Sequence, residues 1–575
     1  MKFRHLSLLA LSLFGVSCAN SGSRPTKVDL LCLNKAKEIE KLSDVEFVYP
    51  TSEEIPYVTL GQGFALASFV ATEYLGAEQK YTLAADGNNV VAKDPTGLKA
   101  TFDLAKQTIT VEDYPTFILG KVAGVQPSIA PSPVNTDGKC MEMVMEETTY
   151  TRGKDAVIDL NAYPHIDIRQ DEDGQFMMPF AVFNHIFVNS RAGYVGIGYN
   201  HKEAFYADQG LANSSTGTLT KLGQRYFGDA PKRNSVSKEF ATFAYEETMF
   251  NMDYFYGMKE IKGISSFTEF TTQKGLAADM CSGDLEKMED AYATMLFKCL
   301  EDGHTAFATA SPFRNYGDFV IKDSSYSPKE SQKAQQNQAM NQKRAELNVD
   351  KCYEVIDDTA FLFFDDFEEI DEKALYGNIT IEEAGDNNAL LFAYAYKEIK
   401  KNPAIKNVVV DMVTNNGGDA MGLAYCLGTL LGKFHLDTRN PLTGASAHVV
   451  YRTDINVDGK IDENDIPLCN DYNIYMLDSK FAFSCGNLFP VAAKYNNPEK
   501  VKCIGDHTGG GTCVIKSNFG ALGQSYLTSG PIMLTKKTEQ GYVHIEDGAP
   551  VDLSISYDKM LDRSYIVSEI HKLNA

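Results

Sequence analysis

The sequence predicts a multidomain α+β protein: a β-rich N-terminal region, then a helical subdomain, then a C-terminal α/β core. Three observations predict it. Short alternating apolar runs broken by Gly, Asn, Asp and Pro fill residues 28–200. Apolar residues then recur at helical spacing in Lys238–Gly257 and Asp284–Leu300. Beyond residue 349, buried-type strands alternate with amphipathic helices. At about 150 residues per domain, 575 residues allow three or four such units.

Composition fits this class. Apolar residues make up 44% of the chain and charged residues 23%, which are ordinary globular values. There is no Trp, so 33 Phe and 30 Tyr must supply the large core side chains. The net charge of −23 argues against a nucleic-acid surface, which needs clustered Lys and Arg.

Taken in order, Met1–Ser17 reads as a secretory leader, with basic Lys2 and Arg4 before the apolar Leu6–Val16. Gly15-Val16-Ser17-Cys18 resembles a bacterial lipoprotein cleavage box, with Gly15 in place of the more usual Leu. That resemblance implies cleavage before Cys18 and its lipidation, hence an exported protein tethered to a membrane, with the outer membrane favoured. Residues 18–27 read as a flexible tether. No later stretch reaches 18 apolar residues.

Within 28–200, strands are expected at Tyr81–Leu83, Val90–Ala92, Ala100–Leu104 and Thr108–Val111, and a helix at Leu60–Leu75. Two phrases resemble each other faintly. Pro56–Leu60 and Met178–Phe183 are each an extended apolar stretch leading into a helix. Residues 201–323 read as the helical subdomain, and 324–348, nearly free of apolar residues, as a polar linker or solvated helix. In the core (349–575), strands are expected at Thr359–Phe364, Val408–Val413 and Ile474–Leu477, and helices at Asn388–Lys401 and Met421–Leu431. Ten cysteines besides Cys18 are spread thinly. An exported location permits disulfides, the spacing gives no pairing, and the lack of a CxxC pair speaks against a zinc site.

Three core segments carry chemistry. Val408–Asp419 (VVVDMVTNNGGD) runs from a strand through two glycines into a helix, a turn suited to an oxyanion hole. Phe481–Pro490 (FAFSCGNLFP) puts Ser484 at a strand-to-helix turn, where it is either a nucleophile or a helix N-cap. Pro490 sits awkwardly deep for a helix. The third is Cys503–Cys513 (CIGDHTGGGTC) followed by Val543–Asp552 (VHIEDGAPVD).

The ordered set of these motifs, with LEDGHTA at Leu300–Ala306 upstream, resembles the C-terminal processing (tail-specific) serine peptidases, nearest to their tricorn-core-like branch. The resemblance covers residues 350–560 and implies a crotonase-like α/β peptidase core acting on peptides or proteins. One style of the family uses a Ser–Lys dyad. Here the Gly-rich segment after Ser484 holds no Lys before Lys516, so a Ser–His style is expected. The resemblance then implies Ser484 as nucleophile, His304 as general base, Glu546 as orienting carboxylate, and the N–H groups of Cys485 and of Gly417 or Gly418 as the oxyanion hole. Where the tricorn-like arrangement has a Ser before the His, this chain has Gly303, so Thr305 or a water would have to bridge. Asn487 stands where Glu is common. His507 and His544 remain rival bases, and Cys485 falls one position late for a nucleophile. The 57 positions between His304 and Phe361 leave no room for the PDZ domain that many members carry.

A further site lies in an insertion. Asp454–Asp465 (DINVDGKIDEND) follows the EF-hand calcium-loop pattern: Asp454, Asn456, Asp458, the Lys460 carbonyl, Asp462 and Asp465 are the ligands, and Gly459 makes the turn. Its final Asp resembles dockerin-type loops, and an acidic hairpin turn is the plainer alternative. The expectation is therefore an exported, lipid-anchored serine endopeptidase with a structural Ca²⁺. The alternatives are an inactive peptide-binding protein on the same scaffold and a calcium-dependent envelope structural protein.

Overall fold

The computed structural model describes residues 25–75, 79–120, 139–171, 173–190, 195–207, 210–212, 218–317, 328–385, 387–539 and 541–575. The leader and Cys18 lie outside them. The first strand, Thr26–Leu33, already begins within the last two residues of the expected tether. Among the described residues, no helix is long and apolar enough to cross a membrane.

The α/β core follows from side-chain alternation. Its sheet runs Tyr353–Ile356, Thr359–Phe363, Asn407–Asp411, Asn473–Asp478, Val501–Gly505 and Leu553–Ser554. The first pair is antiparallel and the rest are parallel. Parallel strands are covered on both faces and so read as continuous apolar runs; Asn407–Asp411 (NVVVD) is buried at every position. Successive residues point to opposite faces. Val408 and Val410 therefore join the main core, which also takes in the helices Asn388–Lys401, Ala420–Leu431 and Cys485–Asn496. Val409 joins a second cluster, with Met340 of Pro328–Glu346 and Ile566 and Ile570 of Arg563–Asn574.

That second cluster bears on 324–348, expected as a polar linker or a solvated helix: the described part is a helix, and one edge of it is buried. This helix is anchored by Met340 and by Arg344, which is 1% exposed. The Arg344 guanidinium grips both oxygens of Asp411 at 2.6 and 3.1 Å, and Arg563 adds a third contact at 2.7 Å. Burial alone would raise the Asp411 carboxyl, but the two guanidinium groups overcome it and hold the pKa at about 2. The polar composition hid one buried edge of this helix.

In the N-terminal region, five antiparallel strands run in the order Ala156–Asp159, Thr108–Val111, Lys99–Asp103, Asn89–Lys93, Thr82–Asp86. The two similar phrases pair with each other. Strand Tyr57–Thr59 lies antiparallel to Phe176–Pro179, and each runs directly into a helix, Leu60–Leu75 or Phe180–Phe183.

The expected domain boundaries are crossed by strands. Met141–Met143 and Thr149–Thr151 pair with Ser446–Thr453 of the C-terminal half. Ala306–Thr309, just after His304, pairs with the long strand Ser525–Thr538. One hydrophobic cluster runs through all three regions. The helices Lys238–Phe255 and Leu285–Ala293 form as their spacing predicts. The second continues as a π-helical turn, Thr294–Cys299, and another such turn occupies Asn184–Val188.

Candidate active site

The strand Asn473–Asp478 ends in a turn that feeds the helix Cys485–Asn496, and Ser484 is the last residue before that helix. Its backbone is left-handed (φ 57°, ψ −120°), which a β-carbon disfavours, and its side chain makes no capping hydrogen bond. The helix-cap alternative therefore fails at this residue. Strain of this kind costs about 1–3 kcal/mol and persists only where the surroundings impose it.

Glycines impose it. Gly417 (φ 106°) lies so close that a β-carbon there would come within 2.8 Å of Ser484 Cβ and 2.7 Å of the Phe483 carbonyl. The Ser484 N–H donates to the Gly510 carbonyl at 3.0 Å, and a β-carbon on Gly511 would meet Ser484 N at 2.7 Å. Pro490 sits within the helix, whose first residue, Cys485, has no intrahelical acceptor for its N–H.

Of the expected oxyanion donors, Gly417 is engaged elsewhere: its N–H donates to Asn415 Oδ1 at 3.0 Å. The Cys485 thiol donates to the Gly418 carbonyl at 3.2 Å, and burial with the nearby Asp419 pushes its pKa up to about 12. A thiol so hard to ionise is a poor nucleophile.

His304 lies in the turn between the π-helical segment and strand Ala306–Thr309. It is 5% exposed, and its Nδ1 has no hydrogen-bond partner. The connection to Ser484 runs through Phe483, whose ring centroid is 4.7 Å from that of His304. The same ring fills the space beside Gly303 and Gly511; a β-carbon on Gly303 would lie 2.6 Å from Phe483 Cζ. Phe483 thus explains why Gly303 stands where the related arrangement has Ser. Burial lowers the His304 pKa below the usual histidine value. The Asp302 charge and the Cys513 backbone oppose that shift, and the charge of Lys333 adds to it.

The Thr305 hydroxyl and one Glu546 oxygen are engaged with groups other than the imidazole. Thr305 Oγ1 donates to Asp302 Oδ2 at 2.6 Å. Glu546 Oε2 accepts from the N–H groups of Gly511 and Thr512 at 2.8 and 3.0 Å. Glu546 therefore fixes the Gly-rich segment that in turn holds Ser484 N–H. Asn487 ties the nucleophile helix to this segment, donating to the Ile545 carbonyl at 2.9 Å and accepting from Thr508 Oγ1 at 2.5 Å.

Sequence reasoning missed three residues here. Asp302 caps its own turn, accepting from His304 N–H at 3.1 Å and from the Tyr256 hydroxyl at 3.1 Å. Phe483 packs on the His304 ring and immediately precedes Ser484. Lys333, on the polar helix, places its ammonium 4.1 Å from the Phe483 ring centroid. Asp302 stood visibly two residues before His304; the other two needed tertiary information.

The rival bases are engaged elsewhere. His507 is exposed and bonded to Asp506, and His544 Nδ1 accepts from Glu546 N–H at 3.3 Å. Lys516 is fully buried and donates to Asn251 and Asn518 at 2.6 and 2.7 Å.

In the acidic loop, Gly459 has φ 86° as the turn requires. Asp454 accepts from the N–H groups of Asp458 and Gly459, and Asp465 from those of Ile455, Asn456 and Asp462. The described residues contain one histidine–carboxylate set converging within 4.8 Å, and it is not in this loop. Cys140, Cys281, Cys299, Cys426, Cys469, Cys485, Cys503 and Cys513 are in no disulfide.

No family model matches the sequence, and no curated protein matches it. Solved structures align with parts of the chain. A presumptive peptidase from Parabacteroides merdae ATCC 43184 aligns at 16% identity, over 56% of this chain and 93% of that one, with a TM-score of 0.37. The photosystem II D1 C-terminal processing protease aligns at 14% identity, over 35% and 43%, with a TM-score of 0.25. A presumptive S41 protease from Bacteroides fragilis NCTC 9343 aligns at 15%, over 36% and 51%, with a TM-score of 0.24. The chain thus spans about half the length of the latter two. These three neighbours are peptidases by name, at low identity and partial coverage.

Proposed function

We propose that this chain is a serine endopeptidase that hydrolyses peptide bonds through Ser484, with His304 as general base. The supporting observation is the conjunction of a strained, uncapped serine at a helix start with a buried histidine whose Nδ1 is unpartnered and whose ring packs on Phe483, the residue before that serine.

In this reading Ser484 Oγ attacks the scissile carbonyl carbon while His304 takes the hydroxyl proton. The lowered pKa of His304 keeps the ring neutral and able to accept it. The oxyanion is met by the N–H groups of Cys485 and Gly418. Losing one such donor costs about 10²–10³ in rate. His304 returns the proton to the leaving amine, and water then releases the acyl group from Ser484 by the same route. Asp302 orients and charge-stabilises the imidazole through the turn, and Glu546 positions the Gly-rich segment.

The test is a fluorophosphonate probe on the full chain. Covalent labelling of wild type that disappears in Ser484→Ala supports the reading; labelling that survives in Ser484→Ala overturns it. A second reading, a peptide-binding protein that has lost catalysis, draws on Thr305 and Glu546 both being engaged away from the imidazole. Silence toward the probe with peptide binding retained would select it.

Two further parts of the proposal rest on sequence. Cys18 would carry lipid and hold the protein to the envelope, at the outer membrane; a radiolabelled fatty acid should enter wild type and not Cys18→Ser. The loop Asp454–Asp465 would take Ca²⁺ through Asp454, Asn456, Asp458, the Lys460 carbonyl, Asp462 and Asp465. Calorimetric titration should show one Ca²⁺ bound by wild type and none by Asp458→Ala.

A further inference from the structure

The hairpin Phe434–Arg439/Ser446–Thr453 sets Asp437 directly opposite His448. His435 lies two residues earlier on the first strand and so shares their face. The two imidazole centroids are 4.4 Å apart. His448 Nδ1 lies 2.7 Å from Asp437 Oδ1, and His435 Nε2 lies 3.5 Å from Asp437 Oδ2. One donor atom from each residue falls within 4.8 Å of the other two.

A second observation points to a ligand. The Asp437 side chain is 1% exposed, and its Oδ2, facing His435, has no hydrogen-bond partner. The next residue across the sheet, Thr535, pairs with Asp437 and carries a buried hydroxyl that is also unpartnered. Buried polar atoms are nearly always satisfied, because leaving one bare costs about 1–3 kcal/mol. A hydrogen bond from His435 does not satisfy Oδ2, since 3.5 Å exceeds the usual N–H···O range.

An ion does. A tetrahedral zinc site with bonds of ~2.0–2.1 Å separates its ligand atoms by about 3.4 Å, close to the observed nitrogen–oxygen spacing. Two imidazoles and one carboxylate suit zinc rather than calcium or magnesium, which prefer oxygen alone. Both rings are about a quarter exposed, leaving a side open for entry and for a water as fourth ligand. The nearby charge of Lys537 is a repulsion the ion must overcome.

We propose that His435, Asp437 and His448 form a binding site for a zinc-class divalent cation. Its place in the fold gives its role. The Asn496 side chain accepts from the His435 N–H at 2.8 Å and donates to its carbonyl at 3.0 Å. Asn496 ends the helix that begins after Ser484. Twelve helical residues span about 18 Å, so the ion sits at the far end of the nucleophile helix and takes no part in the chemistry. It cross-braces the two strands and fixes where that helix ends.

The test uses the full chain without a polyhistidine tag, stripped with a chelator and titrated with Zn²⁺ alone. The quarter-exposed positions are changed conservatively, His448→Gln and His435→Gln, and circular dichroism confirms that each variant folds. The expected result is one Zn²⁺ per chain bound by wild type. Each variant should weaken that binding 10-fold or more, and Co²⁺ in its place should give tetrahedral visible absorption that both variants lose. Equal zinc affinity and stoichiometry in wild type and both variants would overturn the proposal, because other thiols and imidazoles would then account for the binding. So would the absence of any binding to wild type.

Discussion

His304 and His185 are both buried, and Nδ1 of each lacks a hydrogen-bond partner, yet their surroundings differ in kind. His185 sits in a π-helical turn with its Nε2 against Glu247. Around them a sealed polar network closes. The amide of Asn251 donates to the Tyr526 hydroxyl at 2.8 Å and to Asn518 Oδ1 at 3.0 Å, and Lys516 donates to both asparagines. Burial drives the Lys516 pKa well below its ordinary value. No hydroxyl on a strained turn lies in this network. His304, by contrast, packs on the ring of Phe483, the residue before half-buried Ser484, whose backbone is forced into an unfavourable shape. A buried, charge-flanked histidine is thus not by itself a sign of catalysis; what sets His304 apart is that its ring packs on Phe483, the residue before a serine in a strained turn.

Substitution at each histidine sharpens the contrast. His304→Gln should lower kcat by about 10²–10⁴-fold with little change in melting temperature. His185→Ala should do the opposite. Leaving buried Glu247 without this hydrogen bond costs about 1–3 kcal/mol, read as a lowered denaturant midpoint, while the turnover of the folded fraction stays near wild type. The contrast breaks if folded His185→Ala protein is inactive. A smaller effect is expected from Gly303→Ser, which drives a β-carbon into Phe483. Overpacking of this sort costs about 1–3 kcal/mol and should displace the ring that joins base to nucleophile, lowering kcat and stability together.

The mildest test is pH. A general base works only when neutral, and the folded pKa of His304 lies below 6.5. The acid limb of kcat/KM should therefore fall at a pH below the ordinary histidine value. Both buried rings also carry a stability signature. Their lowered folded pKa values make their contribution full above pH 6.5, and it declines as pH drops toward those values. A midpoint for kcat/KM above 6.5 would remove His304 as the base.

Sequence legibility followed the range of the interactions involved. Helix Asn388–Lys401 was legible to the residue because its signals are local: Asn387 caps it and its apolar stripe is periodic. The run VVVDMV at Val408–Val413 announced a central strand for the same reason, and the strand spans Asn407–Asp411. The Ser484 turn was legible as motif order, but its left-handed backbone was not, since Gly417 and Gly511 impose it from 67 and 27 positions away. The hydrogen bonds of Glu546 were not legible either: one of its carboxylate oxygens accepts from the N–H groups of Gly511 and Thr512, a contact that depends on how the Gly-rich segment folds back. The buried edge of the polar helix was not legible because one arginine and one methionine anchor it, too few to show as a stripe. The His435–Asp437–His448 set was visible as letters but meaningless without the hairpin register.

The pairing of Met141–Met143 and Thr149–Thr151 on Ser446–Thr453 has a practical corollary for anyone dissecting this chain. Cutting away the first two hundred residues would strip an eight-residue strand of its outer neighbours, leaving bare amide and carbonyl groups along an apolar ribbon. Such a fragment would be prone to stick to itself whatever the state of its catalytic residues. Insolubility or inactivity in that truncation would report a torn sheet margin, and solubility would be recovered by supplying the missing segment in trans.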